Sequence, residues 1–153
     1  MKFICLGVLT IFTGVFALAD TPFLSLTVTG ETSEFCETPY HAVCEIGPKT
    51  NRSTDTACGS TRVSTGWTSY GYQPEVQSAE DVLTLIHEVS SGHLIRTIPT
   101  ESISKNGSLE YVAISPGNSR PIELYKSNNS VAYRNSQTAA AEKLIKYINS
   151  VCR

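Results

Sequence analysis

Apolar spacing divides the chain into segments of period two and segments of helical period. Leu24, Leu26 and Val28 alternate with Ser25 and Thr27, the pattern of a half-buried strand. Val82, Leu85, Ile86 and Val89 stand at i, i+3, i+4 and i+7 and predict a helix over 78–90. Ser78-Ala79-Glu80-Asp81 opens it with a capping-box pattern, acidic residues lie at the positive helix end, and Gly92 is a natural stop. A second helix is predicted over 136–153. Ala141, Leu144, Ile145, Ile148 and Cys152 form its apolar stripe, and Glu142 and Lys146 are spaced to pair on its wet side.

Four short runs between the helices read as strands: 93–98, 109–115, 122–126 and 131–134. Pro99, Asn106-Gly107, Pro116-Gly117-Asn118 and Asn128-Asn129 supply the turns, and Asn106-Gly107 predicts a hairpin between the runs it separates. Val63, Thr65 and Trp67 share one face of a further strand predicted over 62–72, with Trp67 in the core. Residues 36–60 carry Pro39, Gly47, Pro48, Asn51 and Gly59 among Thr, Ser and Asp, and read as a loop region. Each helix has a single apolar face and must cover a sheet. The expected fold is α+β: an antiparallel sheet of four to five strands with two helices packed on one face.

The N-terminal residues change the picture of where this domain starts. Lys2, the apolar run Phe3–Leu18 and the small-x-small site Ala17-Leu18-Ala19 predict a cleaved signal peptide over 1–19, hence secretion. The run is short for the roughly 20 residues of a membrane span, and Asp20-Thr21-Pro22 follows without basic residues. The expected layout is a leader over 1–19, a strand and disulfide-stapled loop region over 20–57, and the sandwich domain over 58–153. The chain carries 12 basic and 14 acidic residues, and loss of Lys2 leaves 11 against 14. The bases are scattered, so no nucleic-acid partner is expected. The mature chain has neither a basic amphipathic nor a wholly apolar helix, and stable membrane insertion is not expected.

Four cysteines remain after the leader: Cys36, Cys44, Cys58 and Cys152. In an exported chain they predict two disulfides, with three possible pairings. Cys36–Cys44 with Cys58–Cys152 is slightly preferred, because it closes the Pro39 loop locally and joins the first core strand to the last helix. No close cysteine pair favours zinc, so neither metal nor cofactor is expected.

Candidate chemistry is sparse. His41, His87 and His93 belong to no metal, nucleophile or P-loop motif, so catalytic residues are not assigned. A ribonuclease-like alternative would draw on His93, Arg96, Glu110 and Arg134, which fall on neighbouring predicted strands. Asn51, Asn106 and Asn128 begin N-glycosylation acceptor triplets, all in predicted loops. Tyr70, Tyr72 and the loop 116–120 with Arg120 are candidate contact residues, chosen for aromatic or Arg character.

The leader, size, cysteines and element order from Cys58 to Arg153 resemble small secreted fungal effectors of the Hce2 (Ecp2-like) kind and the KP6-type killer-toxin fold. Ser78-Ala79-Glu80-Asp81-Val82 with Leu85-Ile86 stands where those proteins place their first helix. Leu109-Glu110-Tyr111-Val112-Ala113-Ile114 has the character of their middle strand. Val82 and Ala113 stand near two places where Hce2 proteins have cysteines. The resemblance implies a secreted, monomeric, non-enzymatic virulence protein that binds a host protein or surface molecule. A killer-toxin-like antimicrobial protein is the alternative within the same resemblance.

Overall fold

The computed structural model describes residues 22–30, 40–70, 75–99, 106–116, 120–128 and 130–152. In chain order these form β1 (Leu24–Gly30), β2 (Tyr40–Ile46), β3 (Thr50–Ala57), β4 (Ser60–Trp67), α1 (Ala79–Ser90), β5 (Leu94–Thr97), β6 (Ser108–Ile114), β7 (Pro121–Asn128), β8 (Ala132–Asn135) and α2 (Thr138–Cys152). All eight strands belong to one sheet in the order β4-β3-β2-β1-β6-β7-β8-β5, and each paired neighbour is antiparallel.

The expected sheet of four to five strands is therefore too small. The extra strands come from the stretch read as loop. β2 and β3 lie within 36–60, and β3 (TNRSTDTA) has no large apolar residue at either parity. Its threonines favour extended backbone. Without a buried face, however, no alternation marks it as a strand.

β1 stands between β2 and β6 and fixes which face is buried. Leu24 and Leu26 pair with Ile46 and Cys44 on one side and with Ala113 and Tyr111 on the other. All six are buried. The helices pack against each other and lie on this face, contributing Val82, Leu85, Ile86 and Val89 from α1 and Ala140, Ala141, Leu144, Tyr147 and Ile148 from α2. Each large aliphatic side chain there contributes about 1.5–3 kcal/mol relative to exposure. A register shift at Tyr111/Val112 lets the consecutive residues Leu124 and Tyr125 of β7 both enter the core.

The first helix begins as the sequence predicts. Asp81 N–H donates to Ser78 Oγ at 3.2 Å, while Asp81 Oδ2 accepts from Gln77 N–H at 2.9 Å and Ser78 Oγ at 3.0 Å. Its end is locked by buried Asn135. Asn135 Nδ2 donates to Val89 O and Glu123 O, and its Oδ1 accepts from Gln137 N–H at 3.0 Å. A Cβ on Gly92 would lie 2.0 Å from that Oδ1, so the close approach requires glycine. One side chain thus joins the end of α1, β7 and the entry to α2.

Several local expectations are corrected. β5 pairs with β8 at the sheet edge, so Asn106-Gly107 does not close a hairpin onto β6. Trp67 is 84% exposed rather than in the core. Asn51 lies within β3 and Asn128 ends β7, leaving only Asn106 of the three acceptor asparagines in a turn. Glu142 binds Arg134 Nη1 at 2.9 Å.

The preferred disulfide pairing is also corrected: Cys44 is bonded to Cys152, across 108 residues. Cys44 sits beside Leu26 on the buried face of β2, which places it under the last turn of α2. Cys58 is bonded to a cysteine outside the described residues. The leader 1–19, Cys36 and Tyr72 likewise lie outside them. Among the described residues no helix is long and apolar enough to cross a membrane.

Candidate functional site

The helices cover only part of the sheet. α2 reaches as far as β2 through Cys152, and β3 and β4 extend beyond it. β4 is the outer edge, and all eight of its residues are exposed. Val63, 54% exposed, and Trp67 share its face turned away from the helices.

The hairpin geometry determines which backbone groups of this edge are unused. Ala57 pairs with Ser60 around the two-residue turn Cys58-Gly59, whose φ angles are +53° and +74°. Positive φ at both central positions is the type I′ condition, which matches the twist of the flanking strands. The pair closing such a turn is hydrogen-bonded, and antiparallel ladders alternate. Ser60, Arg62, Ser64 and Gly66 therefore bond inward to β3, and the backbone N–H and C=O groups of Thr61, Val63 and Thr65 point outward. No Lys, Pro or bulge blunts this edge.

On the helix side, the uncovered part of the sheet forms a groove of about 750 Å³. Its side-chain rows follow from the register: Leu26, Cys44, Ser53 and Ser64 in one, and Val28, Ala42, Asp55 and Arg62 in the next. The Cys44–Cys152 bond forms part of its wall. Asp55 Oδ1 is buried without a hydrogen-bond partner. Burial first, then the charge of Asp55, raises the Tyr40 phenol above its usual pKa at the same end of the groove.

The residues picked out from sequence do not assemble into a site. Tyr70 packs inward: its ring stacks on Tyr147 at 5.7 Å, and its hydroxyl donates to Pro48 O at 3.1 Å. Arg120 is exposed just before β7, far in sequence from Tyr70. The ribonuclease-like set is divided between two faces. Arg134 turns to Glu142 on α2, whereas Glu110, Lys126, Tyr133 and Arg96 fall in one register row across β6, β7, β8 and β5. Lys126 in that row is held by Glu123 at 2.6 Å. His93 precedes β5, with Nδ1 3.4 Å from Ser136 Oγ. Among the described residues no group of three or more His, Cys, Asp or Glu could hold a metal.

Two of the surface groups are hidden in the sequence: Asp55 lies on a strand without alternation that reads as loop, and Trp67 reads as core by its size and apolarity. The available signal was Gly59 between two Thr/Ser runs of equal length, a turn flanked by strands wet on both faces.

No protein-family model matches the chain, and no curated protein matches it. A solved structure described under mutations in SsgB that correlate to longitudinal cell division during sporulation of Streptomyces coelicolor is similar over 86% of this chain and 90% of its own. The identity is 11% and the TM-score 0.24, too distant for anything to be transferred.

Proposed function

We propose that this is a secreted fungal effector that acts by binding a host polypeptide rather than by catalysis, and that the partner adds a strand to β4. The observation that carries this reading is the edge itself: eight exposed residues, unblunted, with outward backbone groups and two exposed apolar side chains. Strand addition draws affinity from main-chain hydrogen bonds and selectivity from alternate side chains. Val63 and Trp67 supply apolar contacts on one face, and Arg62 supplies a charge on the other. The leader-like N-terminus supports export, and the effector resemblance supports a host as the source of the partner.

The test is a Val63→Pro variant. Proline there removes an outward N–H and leaves the inward ladder to β3 intact, as proline on edge strands does. The expected result is loss of host-polypeptide crosslinks to β4 with unchanged melting, and a similar loss for Trp67→Ala. Unchanged capture by Val63→Pro, or a wild type that captures no polypeptide through β4, overturns the reading.

A further inference from the structure

β4 is complementary to itself. Ser60, Arg62, Ser64 and Gly66 are used by β3, while the N–H and C=O groups of Thr61, Val63, Thr65 and, by the same alternation, Trp67 face outward. An open edge of this kind is a template for another strand. A second copy can meet it across a two-fold axis normal to the sheet, which sets the two strands antiparallel and keeps their equivalent faces on one side. The position of the axis is the remaining choice, and the side chains decide it.

With the axis at Thr65, Val63 faces the partner's Trp67 and Trp67 faces the partner's Val63. The two exposed apolar side chains of the edge then cover each other on both sides of the axis. Aromatic with β-branched is a favoured cross-strand pair, and Thr65 facing its own copy is another. An axis at Val63 would set Trp67 opposite the turn residue Gly59, and one at Ser64 would set it opposite Thr61. Only the Thr65 axis pairs the apolar groups with each other. On the opposite face Ser64 meets the partner's Gly66, which has no side chain to crowd it.

Charge permits the same register. Val63–Trp67 contains no charged residue. Arg52, beside Thr65, stands three strand spacings or about 14 Å from its own copy, and Glu45 is its cross-strand neighbour. Arg62 lies outside the paired segment, and its two copies are about 20 Å apart along the strands. Both distances exceed the Debye length of about 8 Å at physiological salt. Pairing β4 with the far edge β5 would leave open ends and propagate, whereas the two-fold pairing closes.

We infer that β4 of the free protein pairs with β4 of a second copy about Thr65. The product is a homodimer with one continuous sheet, in place of the monomer that the effector resemblance implies. The contact over Val63–Trp67 is short and falls under about 1,200 Å², so the dimer is weak and reversible. It uses the same backbone groups that a host strand would use. The pairing needs no host partner; its role as a mask that the host polypeptide displaces rests on the strand-addition reading.

Sedimentation of the purified protein between about 5 and 500 μM tests the pairing, and is expected to pass from monomer to dimer over that range. Trp67 is the sole tryptophan, so its emission should move to the blue over the same range as the indole is covered. Val63→Pro removes an outward N–H from both copies and is expected to stay monomeric. Trp67→Ala is expected to weaken the dimer about tenfold, since each dimer holds two such pairs. Oxidation reads the register. Thr65→Cys sets two thiols on a facing pair with Cα atoms about 5.5 Å apart, within disulfide reach, whereas Val63→Cys sets them about 14 Å apart. Thr65→Cys is therefore expected to crosslink several-fold more.

A monomer at every concentration, a dimer that persists in Val63→Pro, or stronger crosslinking in Val63→Cys overturns the pairing. Capture of host polypeptide through β4 by a chain that stays monomeric overturns the pairing alone. A β4 dimer that captures no polypeptide overturns only strand addition and, with it, the mask. Where both hold, the crosslinked Thr65→Cys dimer is expected to lose the capture that the unoxidised variant shows, and equal capture overturns the mask.

Discussion

β3 and β6 are strands of nearly equal length in one sheet, and their sequences have almost nothing in common. β6 alternates Leu109, Tyr111 and Ala113 under the helices with Glu110 and Val112 on the other face. β3 carries Thr, Ser, Asn, Arg and Asp on both faces, because no helix lies over it. Burial imposes alternation on β6. β3 is held by its ladders to β2 and β4 and by intrinsic preference for extended backbone, so its composition is free to serve the surface. The difference separates a part of the molecule that supplies stability from a wing that presents groups to solvent.

The strongest way to break this comparison is to cut the tie between the two parts. Replacing Cys44 and Cys152 together by Ala is expected to cost about 4 kcal/mol in denaturant unfolding, since the closed loop is long. Hydrogen exchange should then speed most in β2–β4. The next largest contrast lies between single positions. Leu144→Ala, in the centre of the covered core, is expected to cost about 3 kcal/mol. Thr54→Ala, on the wing, should stay within about 0.5 kcal/mol. Equal costs at the two sites would remove the distinction.

Asn135→Ala is expected to cost about 2 kcal/mol, because it removes the donor to the Val89 and Glu123 carbonyls and the acceptor of Gln137 N–H at the helix–sheet junction. A smaller effect of opposite sign is expected at Tyr147. Its hydroxyl is buried without a partner, so Tyr147→Phe should raise stability by about 1 kcal/mol or less. Burial first, then the Tyr70 charge, raises the Tyr147 pKa. Wild-type stability is therefore lost as pH rises above the unfolded phenol's 10.0, and the Phe variant should flatten that alkaline limb.

The smallest effect concerns the cap of α1. Hydrogen bonds from Gln77 N–H and Ser78 hold the Asp81 carboxyl below its usual 3.8. Its contribution is present above that value and declines as pH falls through the lower folded one. Asp81→Asn should flatten this part of the acid limb in a melting series.

What could be read in advance follows the same division. Both helices, β1 and β6–β8 announce themselves because each buries one face, and α1 adds its cap at Ser78. β2 and β3 do not, and the number of strands falls short accordingly. Trp67 misleads because size and apolarity signal burial only where something lies above the residue. Asn106-Gly107 marks a turn correctly but cannot say that β5 crosses to the far edge. The partner of Cys152 becomes readable only once Cys44 is known to share a strand face with Leu26's neighbours. Asp55 is hidden as a groove residue for the same reason as its strand.

β1 also sets a problem of timing for the folding chain. Leu24 meets Ile46 after 22 residues, but Ala113 only after 89. That is two doublings of loop length, about 1.2 kcal/mol of additional closure entropy before the first contact is made. The meander from β1 to β4 can form from neighbours alone, yet it contains little that stabilises it without α2. The other flank carries the apolar area but must search for β1 across most of the chain. Slow, non-local closure onto β1 is thus the step expected to govern the folding rate.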